Sequence, residues 1–238
     1  MKKIIVSVFS LSFFLFVGCG AEHANGGKGR HEEQVVYKGE TKVWNFDNEK
    51  QGGIAGGFSN QLTGKGDPGK WEVLKDNTAT SAPNVIAQTS HEFFGYHFGM
   101  AVNENEVYDD FELIVKFKGV AGKEDQGGGP VWRYQDNNNY YIARANPLED
   151  NFRVYKVVDG KRIQMDSARL KVTSGEWHTI KVIARKDQIQ CFYDGQSYLE
   201  VKDDTFQKAG RVGLWTKADA VTYFDDLEVR PIVRHSRD

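Results

Sequence analysis

The sequence has little cysteine and little proline. Of 238 residues, two are cysteine and five are proline. Cys19 is assigned below to a lipid anchor, which leaves Cys191 without a disulfide partner. A disulfide framework is therefore excluded, and the fold must rest on its hydrophobic core, for which the chain is long enough. Cys191 sits within an apolar alternating segment and is expected to be a buried, inert thiol.

An excess of positive charge is also missing. Thirty-one basic residues stand against 33 acidic ones, a formal net charge of −2. Proteins that bind nucleic acid neutralise phosphates with clustered basic side chains. Nucleic acid is therefore not an expected partner.

The N-terminal apolar run is too short to span a membrane comfortably. Residues 1–20 read MKKIIVSVFSLSFFLFVGCG, with two lysines followed by apolar residues 4–17. The small residue before Cys19 resembles a bacterial lipoprotein signal, in which the cysteine is lipidated and becomes the mature N-terminus. We expect a signal peptide at 1–18, a flexible Gly-rich tether at 19–34 and a lipid-anchored protein of the bacterial cell envelope, facing the periplasm or the surface. Secretion without an anchor is the alternative.

Helical periodicity is nearly absent, and alternation with period two takes its place. Phe111, Leu113, Val115 and Phe117 fall on one face of a predicted strand. The dipeptides Asp159-Gly160 and Asp194-Gly195 are favoured hairpin turns. About a dozen short strands can be counted in this way, which predicts an all-β fold, an antiparallel β-sandwich over residues 35–231 with 232–238 as a tail. Residues 48–70 are expected to form the longest loop.

The order of the strand-like segments resembles a known family. W-N-F-D comes early, followed by D-D-F-E-L-I-V-K-F, G-G-G-P-V-W-R-Y, N-Y-Y-I-A-R-A-N and G-R-V-G-L-W-T-K-A-D. This order is similar to concanavalin A-like lectin/glucanase jelly rolls, and within them to the bacterial 3-keto-disaccharide hydrolases, which are related to laminin-G-like and family 16 glycosidase sandwiches. The resemblance covers residues 42–229. The resemblance implies two stacked antiparallel sheets, one of them concave, and sugars that bind on the concave side.

Arginines and aromatic rings concentrate in three consecutive predicted strands, 130–134, 140–146 and 152–158. Strand alternation allows Arg133, Arg144 and Arg153 to share one face, where like charges need lone pairs or counter-charges between them. Aromatic rings can stack on the apolar face of a pyranose, and guanidinium groups can fix its orientation by hydrogen bonds, so this combination is typical of a sugar-binding site. The predicted ligand residues are Trp132, Arg133, Tyr140, Tyr141, Arg144, Asn146, Arg153 and Tyr155. The alternative is that the arginines pair with acidic neighbours and the rings fill the core, Trp132 above all.

Catalytic residues cannot be selected from the sequence. Glycoside hydrolysis commonly uses two carboxylates that flank the scissile bond, and the Glu-x-Asp-x-Glu strand motif of family 16 is absent. Other acids and histidines are available in loops and at strand ends: Glu92, Asp125, Asp136, Glu149, Asp150, His91 and His97. No pair among them stands out, so an enzymatic role stays open.

Acidic residues near both ends of the domain suggest a structural calcium ion. Asp47 and Asp225 lie at positions where carbohydrate-binding sandwiches pair their first and last strands around Ca²⁺, which binds six to eight oxygens. An inward-facing Asp225 needs a counter-charge. A basic side chain, or a bulge that turns Asp225 outward, is the alternative to the metal.

Three functions are compatible with the sequence. The first is an envelope lipoprotein that binds carbohydrate. The second is a glycoside hydrolase-like enzyme acting on a disaccharide, possibly an oxidised one, or on a polysaccharide. The third is an interaction module without a small ligand. Convergence of the arginines and rings on one hollow would favour the first.

Overall fold

A computed structural model of the chain describes residue 37 and residues 39–232. These residues form strands and no helix, so no described segment is a helix long and apolar enough to cross a membrane. The strands are β1 (Lys42–Trp44), β2 (Phe58–Thr63), β3 (Trp71–Lys75), β4 (Asn84–Gln88), β5 (Phe98–Asn103), β6 (Phe111–Ala121), β7 (Gly128–Asp136), β8 (Asn139–Asn146), β9 (Asn151–Val158), β10 (Lys161–Arg169), β11 (His178–Arg185), β12 (Gln188–Tyr193), β13 (Gln196–Lys202), β14 (Arg211–Thr216) and β15 (Val221–Pro231).

The strands pair antiparallel into two sheets. The eight-stranded sheet has the order β13-β12-β11-β6-β15-β4-β3, with β1 also paired to β15. The seven-stranded sheet has the order β10-β9-β8-β7-β14-β5-β2. Neighbours that are distant in sequence, such as β6 and β15, make this a jelly roll rather than a simple meander. The predicted all-β, antiparallel sandwich is confirmed.

The core between the sheets follows from the alternation in the sequence. On β6, Leu113, Val115 and Phe117 are fully buried and meet residues of the opposite sheet. The intervening Lys116 is only half-buried and donates to Thr179 on β11. Cys191 lies in the same core and is 0% exposed, as predicted for an inert thiol.

Two-residue turns set the registers of the hairpins. Asp159 and Gly160, between β9 and β10, both have positive φ, as do Asp194 and Gly195 between β12 and β13. Such backbone angles are those of the tight turns that fit the twist of antiparallel strands. The predicted turns are confirmed. The predicted long loop at 48–70 was partly wrong, because β2 occupies residues 58–63.

A bulge at Arg133 interrupts the alternation of β7. Arg133 has a φ of 44°, and the pairing with β8 shifts register between Trp132 and Asp136. A bulge adds one residue to one strand and so changes which face the following side chains occupy. Val131 and Tyr134 therefore share a face although they are three residues apart.

Candidate functional site

The face of the seven-stranded sheet that points away from the core carries its own apolar cluster. All members belong to that sheet, and none is more than 5% exposed: Phe98, Met100, Val102, Val131, Tyr134, Tyr140, Ile142, Tyr155, Val157 and Trp215. On β8 and β9 these positions alternate with residues of the inter-sheet core. We call this surface, together with Arg144, Arg153 and Arg162 at matching positions, the second face.

The second face is concave. The guanidinium of Arg162, on β10, lies 4.9 Å from the ring of Phe98, on β5. These strands are five positions apart in the sheet, and a flat sheet would separate them by about 24 Å. One arginine side chain cannot cross that distance, so the sheet must curl around this face. The concavity that the family resemblance implied is present on this sheet.

Tyr96 links the edge strand β10 to the start of β5 at one end of the curled sheet. Its hydroxyl donates to the carbonyl of Gly160 at 2.9 Å and accepts from the backbone N–H of Arg162. The Tyr96 ring packs on Phe98, with centroids 4.4 Å apart. Beside this contact lies a cleft of about 610 Å³, bordered by Phe93, Phe94 and Asn138 among others. The contact fixes the β9–β10 turn over the start of β5.

A chain of ion pairs includes two arginines of the second face, Arg144 and Arg153. Nη1 of Arg144 lies 3.2 Å from Oδ2 of Asp125, and its Nη2 lies 2.9 Å from Oε2 of Glu149. Nη1 of Arg153 lies 2.9 Å from the same Glu149 oxygen. Lys217 approaches Asp125 to 3.5 Å from the other side. One continuous network therefore links five strands or loops.

The network is buried at one end and open at the other. Arg144 and Asp125 are 1% and 0% exposed, whereas Arg153 and Glu149 are 31% and 38% exposed. The Glu149 carboxyl is partly desolvated, but donation from Asn151 and the two guanidinium charges hold its pKa below the ordinary value. Glu149 is therefore an ionised hydrogen-bond acceptor at neutral pH. Solvent reaches Glu149 and Arg153, and these two side chains are available to a ligand.

Arg162 lies over the rings of the second face, and no carboxylate among residues 39–232 forms an ion pair with it. Its guanidinium is 4.6 Å from the ring centroid of Tyr155 and 5.8 Å from that of Trp215. Such distances are typical of cation–π contacts. Its Nη1 is buried and has no hydrogen-bond partner. Burial lowers the pKa of Arg162, although the Tyr155 hydroxyl acts in the other direction.

The structure brings together five of the eight predicted ligand residues. Tyr140, Arg144, Arg153 and Tyr155 lie on the second face, and Asn146 lies at its end, where its Nδ2 donates to Asp125 at 3.2 Å. Tyr140 and Asn146 are fully buried. Of these five, Arg153 is the one with substantial exposure, and the others support the surface from beneath.

The other three predicted ligand residues lie elsewhere, which corrects the expected set. Trp132 and Tyr141 stack on each other in the inter-sheet core, with centroids 5.7 Å apart. Arg133 donates to the carbonyls of Phe206 and Asp109 and is 1% exposed. Alternation through β7 predicted that Arg133 would face the same side as Arg144. The bulge at Arg133 removes it from that side.

Arg162 was not among the predicted ligand residues, although the sequence contained a signal for its position. A two-residue turn at Asp159-Gly160 pairs Arg162 with Val157, and residues paired across a hairpin share a face. Since Tyr155 and Val157 were both assigned to β9, this register would have placed Arg162 beside them. Lys217, which follows β14, had no comparable signal.

The acids and histidines considered for catalysis are scattered, with one exception. Asp136 binds the amides of its own turn, and Asp150 pairs with Lys171 at 3.2 Å. His97 is buried against Phe93 and contacts the carbonyl of Asp67, whereas His91 and Glu92 are exposed. Asp125 and Glu149 alone among these residues meet, through Arg144.

Asp47 and Asp225 approach each other but do not form an oxygen cage for a metal. The Asp225 carboxylate, 0% exposed, accepts from the N–H groups of Ser81 and Asp226, both at 2.8 Å. The Ser81 hydroxyl lies 3.5 Å from both Asp47 and Asp225. Among the described residues no group of three or more acidic, histidine or cysteine side chains could hold a metal. N–H groups thus take the oxygens that Ca²⁺ would need, and the pair does not fit a calcium site.

The predicted signal peptide, the tether and Cys19 lie outside the described residues, as does the predicted tail at 232–238 apart from Ile232. The domain at 35–231 corresponds to the strands above, apart from the residues before 39 that the structure does not describe. These boundaries stay predictions.

The two antiparallel sheets, of which the seven-stranded one is curled, and the polar network on its concave side define a sandwich of the concanavalin A-like class. The chain belongs to the family of 3-keto-alpha-glucoside-1,2-lyase-like domains, whose model matches residues 40–230. No curated protein matches the sequence.

The fold is shared with solved structures of other proteins. The carbohydrate-binding module CBM66 of Bacillus subtilis has a TM-score of 0.57 at 17% identity, covering 72% of this chain and 93% of that one. A β-glucanase of Bacillus licheniformis has a TM-score of 0.53 at 12% identity, covering 83% and 99%. Domain 4 of an extracellular arabinanase from Geobacillus stearothermophilus, solved with arabinotriose, has a TM-score of 0.53 at 10% identity, covering 84% and 94%.

Proposed function

We propose that the protein binds carbohydrate on the second face. The observation that carries this proposal is the open end of the ion-pair network, where Glu149 and Arg153 are both about one-third exposed beside Tyr155. An ionised carboxylate accepts from sugar hydroxyls and a guanidinium donates to them, so the pair can fix the orientation of a pyranose ring. Membership in a family named for a glucoside-cleaving activity supports the same ligand class.

Three rings support such a site from beneath. Phe98, Tyr155 and Trp215 lie close together under Arg162 and are 0–4% exposed, so they hold the polar groups in place and do not themselves contact the sugar. Because Arg144 and Asp125 are buried and paired, they hold Glu149 in place and do not themselves contact the sugar.

The same carboxylate favours a second candidate, a lyase. In a 3-keto-glucoside the proton on C2 is acidic because the ketone lies next to it. Glu149 would accept that proton, a C1–C2 double bond would form, and the glycosidic oxygen would leave from C1 and take up a proton from solvent. The lowered pKa of Glu149 keeps the carboxylate ionised, as a base must be, but also makes it a weaker base than an ordinary glutamate. It argues against Glu149 as a general acid, which would need a raised pKa.

A binding experiment with matched variants tests the first proposal. The purified protein is applied to a glycan array, and the best ligand is titrated calorimetrically against Arg153→Gln, Glu149→Gln and two control variants. Loss of one charged hydrogen bond should lower affinity by about tenfold or more. Lys202→Gln and Glu200→Gln remove the same charges from exposed positions on β13 of the other sheet, and they should leave affinity unchanged.

Two results decide between the candidates. If the array shows no ligand, or if the control variants lose as much affinity as the site variants, the binding proposal fails. If a 3-keto-glucoside incubated with the protein yields an unsaturated product, and Glu149→Gln stops its formation, the lyase candidate replaces it. Product analysis by NMR detects the new double bond directly.

The protein is also proposed to be a lipoprotein of the bacterial cell envelope. The basic start, the apolar run and the small residue before Cys19 support this placement. Cys19→Ser should move the protein from the membrane fraction to the soluble fraction of fractionated cells. Continued membrane association of that variant would contradict the lipid anchor.

A further inference from the structure

Arg162 indicates what kind of sugar the second face accepts. The argument rests on the proposed carbohydrate function and makes it more specific. The three cations of the ion-pair network all have counter-charges: Arg144 and Arg153 lie 2.9 Å from Glu149, and Lys217 lies 3.2 Å from Glu124. No described carboxylate forms an ion pair with Arg162.

Leaving this guanidinium unpaired is costly. A buried donor without a partner loses its hydration and forms no hydrogen bond to replace it, and the loss is larger for a charged group than for a neutral one. Nη1 of Arg162 is such a donor. Contacts with the rings of Phe98, Tyr155 and Trp215 offset part of the cost but supply no hydrogen-bond acceptor.

The surroundings of Arg162 hold it in a fixed place. Its backbone N–H donates a hydrogen bond to the Tyr96 hydroxyl, which in turn donates to the carbonyl of Gly160. The guanidinium lies within cation–π distance of three rings that are themselves 0–4% exposed. A guanidinium fixed in this way is oriented before any ligand arrives, so little conformational entropy is lost on binding.

We propose that Arg162 binds the carboxylate of an acidic sugar, so that the second face selects uronic-acid residues over neutral ones. A planar guanidinium matches a planar carboxylate through two parallel hydrogen bonds. The carboxylate would approach the solvent-facing edge of Arg162, whose other side rests on the three buried rings, and the sugar hydroxyls would reach Glu149 and Arg153. The ligand then supplies the counter-charge that no described carboxylate provides.

The experiment compares acidic trisaccharides with their own neutral forms. Trisaccharides of galacturonic acid and of glucuronic acid, each α- and β-linked, are titrated beside their methyl esters, which keep the shape and remove the charge. We expect at least one acid to bind tenfold or more tightly than its ester. Arg162→Gln should make the affinities of acid and ester equal. Arg162→Lys keeps the charge but loses the two parallel N–H donors, and it should retain only part of the preference for the acid.

Lys202→Gln is the matched control. It removes one positive charge from an exposed residue of β13, in the other sheet. It should keep the ratio of acid to ester binding. Thermal unfolding of Arg162→Gln and Arg162→Lys confirms that both are folded, so lost selectivity is not a folding defect.

The outcomes separate this inference from the carbohydrate function. Equal binding of acids and esters, with both weakened by Arg153→Gln, overturns the selectivity and leaves the carbohydrate function standing. An acid preference that Arg162→Gln does not change also overturns it, as does tighter binding of a sulfated trisaccharide than of any uronate. Failure of every sugar to bind overturns both proposals together.

Discussion

Nη2 of Arg144 lies 2.9 Å from Oε2 of Glu149, and the two residues differ sharply in exposure, at 1% and 38%. The arginine is thus a buried support and the glutamate is its open end. This relationship separates stability from binding within a single ion-pair network. Substitutions at its two ends are expected to give different results.

Arg144→Ala should destabilise the protein by about 3 kcal/mol or more, because Asp125 would keep its buried charge with only Lys217 as a cationic partner. Arg153→Gln should cost less than about 1 kcal/mol, since both partners of that pair are exposed to solvent. Urea unfolding of the two variants beside the unsubstituted protein measures both values. Equal losses would show that the network has no buried end.

The sequence predicted the fold more completely than the site. Alternation on β6 and the Asp-Gly turns are local features, and each determines a strand or a register without knowledge of the rest of the chain. Partners such as Asp125 and Arg144 come from separate strands and loops, and no local pattern links them. The arginines could therefore be placed on strands, but their burial and their counter-charges could not be predicted.

The failure at Arg133 has a specific physical cause. Strand alternation assigns faces correctly only where each residue is paired in turn, and the φ of 44° at Arg133 breaks that condition. Glycine and asparagine are the residues that most often adopt a left-handed backbone, and an arginine at this position gave no reason to predict one. On β8 and β9, where no bulge occurs, the assignments of Arg144, Arg153 and Tyr155 were correct.

Asp225 should make stability depend on pH. Burial, together with the charges of Asp226 and Asp47, raises the pKa of this carboxyl from 3.8 to about 6, against the effect of the Ser81 and Asp226 N–H groups. A carboxyl that binds its proton more tightly in the folded state favours folding at low pH. Its contribution, about 3 kcal/mol, is lost as the pH rises from about 4 through 6.

Asp225→Asn removes this titration. The unsubstituted protein should lose stability between pH 4 and pH 7, and the variant should not. The free energy of unfolding of the variant minus that of the unsubstituted protein should therefore increase over this range, and any pH-independent effect of the amide only shifts the whole curve. Asp204→Asn, at an exposed position, should give a nearly constant difference over the same range. A constant difference for Asp225→Asn as well would mean that Asp225 titrates near its ordinary pKa.

Cys191 should be unreactive in the folded protein. Burial strongly raises the pKa of its thiol, and the thiolate is the reactive form. In a Cys19→Ser variant, Ellman's reagent at pH 8 should detect no thiol until denaturant is added, and one thiol per chain afterwards. Rapid reaction of the native protein would show that the inter-sheet core opens at β12.

Calcium should leave the stability of the domain unchanged. Asp47 and Asp225 were the predicted ligands, but the Asp225 oxygens accept from the N–H groups of Ser81 and Asp226, and Asn84 donates its N–H to Asp47 at 3.1 Å. A cation at this position would meet those donors as well as the carboxylates. A ligand that binds only the folded state raises the melting temperature in proportion to its affinity. We therefore expect the same melting temperature in 5 mM calcium chloride and in EDTA, and an increase with calcium that Asp225→Asn abolishes would restore the calcium site.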